Sequence, residues 1–365
     1  MEPFRVEVPQ AVLDDLRERL SRTRWPAEIP GIGWQQGADL DFMRATVAHW
    51  TQAYDWRAQE REINRYHHFR ALVGGLRIHF IHERSNGGGG VPLLLTHGWP
   101  GSFHEFSKII RMLRGFDVVV PSLPGYGFSD PPRATGMNPF AIADLWAELM
   151  TQLGYEKFAA QGGDWGASVT TALGLRHPQR LIGVHLNYIP GSYLPDAEPD
   201  EEAKAFFRSE AAWLAEEGGY DHQQRTRPQT LGFALEDSPA GLLAWIGEKL
   251  RTWSDCGGVL ERRFSRDELL THVMIYWITR SATSSARLYW EVERRPLRFG
   301  PGERVRVPTA VARFPLEDPF PPRSWIERGY DLVRFTQMPR GGHFAAWEEP
   351  QLLADDLRAF LLAEH

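Results

Sequence analysis

Apolar and polar residues near the start of the chain follow a helical period. In residues 11–20 (AVLDDLRERL) apolar side chains recur every three or four positions and charged ones fill the opposite face, which predicts an amphipathic helix. A loop rich in proline and glycine follows (WPAEIPGIGW), and a second amphipathic segment spans about residues 40–56. The pattern therefore predicts a small helical extension over residues 1–68.

The pattern changes near residue 69 to short strands that alternate with helices. LRIHFIHER alternates apolar and polar positions, as a half-buried strand does, and VPLLLTHG is a continuous apolar run, as a strand buried on both faces is. Helical and strand-like segments then alternate through HEFSKIIRML, DVVVPSLPG, residues 139–153, KFAAQ, ASVTTALGLRH and LIGVHLN. This βαβα order predicts an α/β fold with a mainly parallel central sheet.

The alternation stops near residue 190. Residues 190–296 contain helical segments, loops and many aromatic residues, with little strand signal. Strand-like runs return in RVPTAVARFP and YDLVRFTQM, with a short helix between them and an amphipathic helix at the end of the chain. We therefore predict one α/β core in two parts, residues 69–189 and 297–365, interrupted by a helical cap over residues 190–296.

Composition narrows the class of protein. The 365 residues carry a net charge of −6, with a pI near 6.1 and no long basic run, which disfavours nucleic acid and anionic membranes as partners. The single cysteine, Cys256, excludes an intrachain disulfide. The sequence has neither a signal-peptide core nor an apolar run long enough for a membrane span. We expect a soluble, cytoplasmic protein.

The segment GGDWG, residues 162–166, has the form of the G-x-S-x-G nucleophile elbow with a carboxylate in place of serine. The glycines allow a tight strand-to-helix turn that holds the central side chain exposed. Asp164 stands at that position, where an ionised carboxylate needs no base to make it nucleophilic and where a helix N-terminus favours its charge. Taken alone, the motif also fits an aspartate that caps the following helix.

A second motif, HGWPGSFHEF, follows the buried strand that ends near residue 96. A loop at this place in α/β-hydrolases supplies half of an oxyanion hole, and the N–H of the residue after the nucleophile supplies the other half. The backbone N–H groups of Trp99 and Trp165 are therefore the predicted oxyanion donors. His97 is predicted to support the loop through hydrogen bonds and to take no direct part in the chemistry.

A third motif, PRGGHFAAWEEP, places His343 between the last strand and the terminal helix. The order nucleophile, acid, histidine is that of α/β-hydrolases. The acid that orients the histidine is expected after the preceding strand, where FPLEDPF offers two candidates, Glu317 and Asp318. The three motifs together strongly favour a hydrolase with an aspartate nucleophile.

With these motifs in order, the sequence resembles the epoxide hydrolases of the α/β-hydrolase superfamily, in their microsomal-type branch. The resemblance covers nearly the whole chain and extends to RTRWP, HWTQAYDWRAQEREINRYHHF, LRIHFIHE and TRPQTLGFALEDSPAGLLAWIGEK. Membrane-bound members of the branch carry an N-terminal anchor helix that this sequence lacks. We therefore expect a soluble member without membrane attachment.

The resemblance implies roles for the catalytic triad. Asp164 matches the nucleophile and His343 the catalytic histidine. Glu317 matches the charge-relay acid, because the family pattern F-P-x-E corresponds to FPLE at residues 314–317. The neighbouring Asp318 keeps this last assignment open.

The resemblance also implies roles for two cap residues and a reaction. Tyr220 and Tyr289 match the tyrosines that donate hydrogen bonds to the epoxide oxygen. Asp164 attacks an epoxide carbon to form an ester, and water activated by His343 then hydrolyses that ester to release a vicinal diol. The reaction requires no metal and no organic cofactor, and the clustered histidines near residues 67–82 are not expected to bind a metal.

Two other functions use the same sequence features. A haloalkane dehalogenase also has an aspartate nucleophile on this fold, and a non-catalytic protein could keep the fold to bind small ligands. Aromatic residues of the cap favour a small apolar or aromatic epoxide as the substrate; they are Trp213, Phe233, Trp245, Trp253 and Trp277. The sequence leaves open which epoxide is bound and whether the chain forms a homodimer.

Overall fold

The computed structural model describes residues 1–85, 87–190 and 198–362. In these ranges one sheet of nine strands runs in the order β1-β2-β3-β5-β4-β6-β7-β8-β9. The strands are β1 Glu2–Phe4, β2 His68–Val73, β3 Leu76–Glu83, β4 Val91–Thr96, β5 Phe116–Pro121, β6 Phe158–Gly162, β7 Leu181–Leu186, β8 Val305–Arg313 and β9 Tyr330–Gln337. The pairs β1–β2, β2–β3 and β3–β5 are antiparallel. The pairs β5–β4, β4–β6, β6–β7, β7–β8 and β8–β9 are parallel. The sheet is therefore mainly parallel, as the sequence predicted.

Fourteen α-helices connect and cover the strands in the part of the chain that the structure describes. The first seven helices are α1 Gln10–Ser21, α2 Leu40–Gln52, α3 Trp56–Ile63, α4 Pro139–Gln152, α5 Asp164–Arg176, α6 Glu201–Glu217 and α7 Gly219–Thr226. The others are α8 Pro228–Leu235, α9 Pro239–Trp253, α10 Arg266–Thr279, α11 Ala282–Arg294, α12 Arg323–Gly329, α13 Ala345–Glu348 and α14 Pro350–Leu361. None of these described helices combines the length and the apolar character needed to cross a bilayer.

The central parallel strands are mainly apolar because helices cover both faces. Leu93, Leu94 and Leu95 of β4 have no exposed surface, and α5 packs against β4, β6, β7 and β8. Residues Thr96 of β4 and Gly162 of β6 pair at the carboxyl ends of their strands. The loops that follow these two strands therefore leave the sheet side by side, at the edge where ligands bind in open α/β folds.

Between β7 and β8 the described chain is helical, from α6 to α11. The N-terminal helices pack against this helical segment. Tyr54 Oη lies 3.0 Å from Thr271 Oγ1, His49 Nε2 lies 2.7 Å from a carboxylate oxygen of Asp267, and α1 and α2 both contact α9. The N-terminal helices therefore pack against one side of the helical segment between β7 and β8.

Three local predictions differ from the structure. The amphipathic segment predicted over 40–56 is two helices, because the side chain of Asp55 accepts a hydrogen bond from Ala58 N and starts α3. The helix predicted in HEFSKIIRML is wrong: the segment forms two 3₁₀ helices, Phe103–Phe106 and Ile110–Met112. Its apolar residues recur at intervals of three, which fits a 3₁₀ period as well as an α period. Strands β1 and β2 were not predicted, and β1 has only three residues.

Candidate active site

Asp164 lies at the tight turn between β6 and α5, and its backbone is strained. Its φ of 48° is in the left-handed region that few non-glycine residues adopt. The flanking glycines are required by close contacts: a Cβ on Gly162 would lie 2.2 Å from the carbonyl carbon of Gly166, and one on Gly166 would lie 1.9 Å from Thr96 O. The glycines of GGDWG therefore have the steric role that the sequence predicted, and the turn holds Asp164 at the carboxyl edge of the sheet.

The loop after β4 closes over the Asp164 carboxylate. A Cβ on Gly98 would lie 2.1 Å from Asp164 Oδ1, so only glycine allows the backbone to approach this closely. The N–H of Trp99 donates a hydrogen bond of 2.7 Å to Asp164 Oδ1, and the N–H of Trp165 also hydrogen-bonds the carboxylate. Both predicted oxyanion donors therefore point at the side chain on which an oxyanion would form.

The protonation of Asp164 is set by opposing effects. Burial raises its pKa, whereas the charge of His343 and the N–H groups of Trp99 and Trp165 lower it, and burial is the largest effect. The sequence predicts that the helix N-terminus favours the charged form. The N–H groups act in that direction, but the net shift of the pKa is upward because the carboxylate is buried.

His343 lies in the loop between β9 and α13 and contacts two carboxylates. Its Nδ1 is 2.9 Å from Glu317 Oε2, and its Nε2 is 3.7 Å from Asp164 Oδ2. The backbone N–H of His343 donates a hydrogen bond of 2.9 Å to Trp253 O, which fixes the loop against α9. Burial alone would lower the pKa of His343, but the charge and hydrogen bond of Glu317, with Asp164, raise it to about 9.

The two acids after β8 have different surroundings. The side chain of Glu317 is 8% exposed and hydrogen-bonds His343. The side chain of Asp318 is 64% exposed and forms an ion pair with Arg313. The geometry brings Glu317, and not Asp318, into contact with the imidazole.

Tyr220 of α7 and Tyr289 of α11 face Asp164 from the helical segment. The Tyr220 ring stacks on the Trp99 ring with 5.1 Å between the ring centroids. The Tyr289 ring packs edge-on against the Trp165 ring with 4.7 Å between the ring centroids. The centroids of the two tyrosine rings are 5.9 Å apart, with the rings edge to face. Burial raises the pKa of both phenols, with Asp164 adding to the effect, so both hydroxyls keep their protons at neutral pH.

A cavity of about 730 Å³ opens onto Asp164, His343 and both tyrosines. Its aromatic lining consists of Trp165, Tyr188, Phe206, Phe207, Trp213, Tyr220, Trp253 and Tyr289. A cavity of this size with a few converging polar groups is typical of a small-molecule site.

The cap aromatics that the sequence singled out divide into two groups. Trp213 and Trp253 line the cavity. Phe233 is 77% exposed, and Trp245 and Trp277 make their contacts outside the cavity lining. The helical pattern of the sequence does not separate the aromatic residues that line the cavity from those that do not, because both kinds lie on helices of the same segment.

The charged groups of the cavity wall are mostly paired with one another. Arg225 Nε lies 2.6 Å from Asp221 Oδ2, and Arg225 also pairs with Glu293 at 3.3 Å. Glu210 is partly covered, and burial raises the pKa of its carboxyl group. The wall thus presents aromatic surface beside the nucleophile, and its Arg225 is paired with acids of the same wall.

His97 lies behind the loop that covers Asp164. Its Nε2 accepts a hydrogen bond of 3.1 Å from Leu123 N, and its Nδ1 lies 3.0 Å from Gly98 O. Because Nε2 accepts, Nδ1 carries the proton and donates to the Gly98 carbonyl. Burial lowers the pKa of His97 to about 4, so the ring is neutral at physiological pH.

Glu348 is a contributor to the site that sequence reasoning missed. Its buried carboxylate accepts hydrogen bonds from three backbone N–H groups: Asp255 at 2.6 Å, Phe344 at 3.0 Å and Gly342 at 3.2 Å. Two of these donors flank His343, and the third lies after α9. The glutamate therefore ties the histidine loop to the helical segment, and only its position in AAWEEP could have suggested this.

The clustered histidines form hydrogen bonds with their neighbours. His68 Nδ1 lies 2.9 Å from His79 Nε2, and His79 Nδ1 lies 2.8 Å from Ser122 Oγ. Burial is the main effect that lowers the pKa of both histidines. In the described ranges no group of three or more histidine, cysteine or acidic side chains could hold a metal ion.

Family models and curated relatives match most of this chain. The model described as "Epoxide hydrolase N terminus" matches residues 1–106, and the model of the alpha/beta hydrolase fold matches residues 91–228. A putative epoxide hydrolase of Stigmatella aurantiaca is 44% identical over 98% of this chain and 83% of its own length. Epoxide hydrolase 1 of Sus scrofa is 38% identical over 98% of this chain and 88% of its own length.

Solved structures agree with these matches. Juvenile hormone epoxide hydrolase of the silkworm Bombyx mori superposes with a TM-score of 0.87 at 34% identity, over 99% of this chain and 93% of its own. The Aspergillus niger epoxide hydrolase superposes with a TM-score of 0.87 at 32% identity, over 99% of this chain and 96% of its own. Since both sequence and fold agree over nearly the full length, the chain belongs to the epoxide hydrolase family of the α/β-hydrolase fold.

Proposed function

We propose that this enzyme hydrolyses its epoxide through an ester on Asp164. The observation that carries the proposal is the arrangement of groups around one cavity. The carboxylate of Asp164, on its strained turn, lines the cavity together with two protonated tyrosines, and His343 Nε2 lies 3.7 Å from Asp164 Oδ2. Asp164 is the nucleophile, Glu317 and His343 activate water, and Tyr220 and Tyr289 bind the epoxide oxygen.

In the first step Asp164 attacks one epoxide carbon and the carbon–oxygen bond of the ring breaks. The electron pair of that bond goes to the epoxide oxygen, which is a poor leaving group as a free alkoxide. The hydroxyls of Tyr220 and Tyr289 hydrogen-bond this oxygen and supply a proton as the ring opens. Their raised pKa values keep both phenols in the protonated form that this step needs.

In the second step a water molecule attacks the ester carbonyl carbon of Asp164 while His343 Nε2 takes one of its protons. The negative charge of the tetrahedral intermediate forms on Asp164 Oδ1, which accepts the hydrogen bond of Trp99 N–H, and the N–H of Trp165 also stabilises charge on this carboxyl group. The bond to the alkyl oxygen then breaks, the alkoxide takes the proton from His343, and the diol leaves. Asp164 is left as a carboxylic acid, and its proton returns through solvent to the tyrosine that gave one up in the first step, which restores the free enzyme.

Ester formation also prepares His343 for its role as a base. In the free enzyme the Asp164 carboxylate is one of the charges that raise the pKa of His343. The ester is neutral, so this contribution disappears once the intermediate forms. The pKa of His343 therefore falls at the stage of the reaction at which the neutral imidazole is required.

The substrate class follows from the cavity wall. Eight aromatic side chains, and an arginine that is paired with acids of the same wall, favour a small apolar or aromatic epoxide over a charged one. The helical segment between β7 and β8, which we assign to residues 190–296, acts as the cap that supplies the tyrosines and most of this apolar wall.

Single-turnover hydrolysis of styrene oxide in H₂¹⁸O, with enzyme in excess, tests the ester route. Hydrolysis of an ester places the label in the Asp164 carboxylate, which mass analysis of the corresponding peptide detects. Label found only in the diol would contradict the proposal, because it would mean direct attack of water on the epoxide. As a companion experiment, His343→Gln is expected to accumulate the alkyl-enzyme, detected by intact mass.

A panel of haloalkanes tests the other reaction known for an aspartate nucleophile on this fold. We expect diol formation from epoxides and no halide release. Halide release at a rate comparable to epoxide hydrolysis would contradict the assignment of Tyr220 and Tyr289 to an epoxide oxygen.

A further inference from the structure

Glu105 is an acidic residue beside the active site to which the two-step reaction gives no role. It lies in the 3₁₀ helix Phe103–Phe106, in the loop after β4 that also carries Trp99. Its side chain lines a small cavity of about 20 Å³, together with Asp164, His343 and Gln161. This cavity is distinct from the substrate cavity, of which Glu105 is not a wall.

The size and position of the small cavity suit one water molecule. A cavity needs roughly 10–15 Å³ to hold a water, so about 20 Å³ has room for one and excludes an organic substrate. Asp164 and His343 line both the small cavity and the substrate cavity. A water in the small cavity would therefore adjoin the nucleophile and the base, where the second step needs it.

The hydrogen-bonding groups of the cavity also call for a polar occupant. Glu348, the buried acid nearby, accepts three backbone N–H groups, whereas in the described ranges no protein donor hydrogen-bonds the carboxyl group of Glu105. Gln161 donates to Asn187 at 2.7 Å, and its own carbonyl oxygen has no partner in the same ranges. Polar groups enclosed in this way usually bind an ordered water.

The charge state of Glu105 fits a hydrogen bond to water. Burial is the largest effect and raises the pKa of Glu105 to about 8; Asp164 adds to it and His343 opposes it. The group is therefore mainly a neutral carboxylic acid at neutral pH, which offers one O–H donor and an acceptor oxygen. It can orient a water without competing with His343 for the proton.

We propose that Glu105 binds the hydrolytic water of the second step and holds it between Asp164 and His343. This inference rests on the proposed roles of those two residues. The water oxygen forms the new bond to the ester carbon, one water proton passes to His343 Nε2, and the alkyl oxygen later recovers that proton. Glu105 neither gains nor loses a proton over the step.

Rapid-quench kinetics with excess enzyme and styrene oxide separates the two steps. Formation of the alkyl-enzyme and its decay are followed by intact mass in the wild type, Glu105→Gln and Glu105→Leu. We expect ester formation within about 3-fold of wild type in both variants. Loss of a hydrogen bond to the attacking water slows ester decay by about 10- to 100-fold in Glu105→Leu, and by about 3- to 10-fold in Glu105→Gln, which keeps hydrogen-bonding atoms.

Three outcomes would overturn either the role of Glu105 or the proposed function on which that role rests. Unchanged ester decay in both variants overturns the role of Glu105, as does an equal loss in formation and decay, which would indicate a structural role. If Glu105→Leu does not fold, as judged by thermal unfolding, the isosteric Glu105→Gln alone decides by the same criterion. A wild type that never forms an ester contradicts the proposed nucleophile instead, so the two failures are distinguishable.

Discussion

The two sides of the active-site cavity hold their polar groups in different ways. On the core side, Asp164 is fixed by a left-handed backbone, by close backbone contacts and by the N–H of Trp99, and His343 is fixed by Glu317 and Trp253 O. On the cap side, Tyr220 and Tyr289 are held mainly by the packing of their rings against other aromatic rings.

This difference matters because the two kinds of restraint respond differently to substitution. Directional hydrogen bonds in a buried site fix an atom to a fraction of an ångström, and the loss of one leaves a partner unsatisfied. Ring packing fixes a plane and leaves the hydroxyl at its rim to meet a ligand. We therefore expect core-side changes to stop single steps, whereas removal of a tyrosine hydroxyl weakens ring opening without disturbing the fold.

The largest effect is expected from Asp164→Asn. Asparagine tolerates positive φ, so the turn is preserved, but a neutral amide is a poor nucleophile. We expect turnover of styrene oxide to fall by at least about 10⁴-fold and no alkyl-enzyme to appear by mass. An Asp164→Asn enzyme with residual activity above one-hundredth of wild type, free of deamidated protein, would contradict the nucleophile assignment.

A smaller but still large effect is expected from Glu317→Gln, with Asp318→Asn as the matched control. Loss of the charge beside Nδ1 removes the main stabilisation of the imidazolium, so ester decay falls by about 10²- to 10⁴-fold. It also lowers the pKa of His343, because Glu317 is the largest of the charges that raise it. Asp318→Asn is expected to change ester decay by less than about 3-fold. The reverse order of the two effects would make Asp318 the orienting acid.

On the cap side, Tyr220→Phe and Tyr289→Phe each test one hydroxyl. Each ring stays packed, so thermal unfolding is expected to change little, but one hydrogen bond to the epoxide oxygen is lost. We expect the rate of ester formation to fall by about 10- to 100-fold in each variant and further in the double variant. Ester decay, measured in the same rapid-quench experiment, is expected to stay within about 3-fold, since the tyrosines take no part in it.

The smallest effect is expected from Glu348→Gln, which perturbs the link between the two sides. The amide keeps one acceptor oxygen, so at least one of the three backbone N–H groups loses its partner. A lost hydrogen bond of this kind destabilises by about 1–3 kcal/mol, measured by denaturant unfolding. We expect ester decay to slow by about 3- to 10-fold because the His343 loop is less well held. A normal rate with normal stability would show that this link is dispensable.

Much of the site was predictable from the sequence because its signals are local. The glycines of GGDWG and the Asp164 between them encode the turn directly, since no other residue fits the contacts that the glycines make. The continuous apolar run of β4 and the alternation of strands and helices encode a parallel sheet, whose carboxyl edge gathers the loops that follow each strand. The tyrosines were assigned only through resemblance to a family, because nothing in their local spacing distinguishes them.

The tertiary structure decided what depends on the path of loops and on contacts between distant segments. Glu317 and Asp318 are adjacent in sequence, yet only one turns inward to His343. Burial raises the pKa of Asp164, a shift that a helix N-terminus alone would not predict. Glu105 and Glu348 resemble ordinary acidic residues in the sequence, and their importance comes from the groups that enclose them.

The sequence by itself thus determined the fold class and the places of Asp164 and His343 at the ends of their strands, because these follow from periodicity and from steric requirements within a few residues. The tertiary structure alone determined which acid meets the histidine, which aromatic residues line the large cavity and which acid lines the small one. Those outcomes depend on burial and on distances between residues far apart in the chain, which local patterns do not encode.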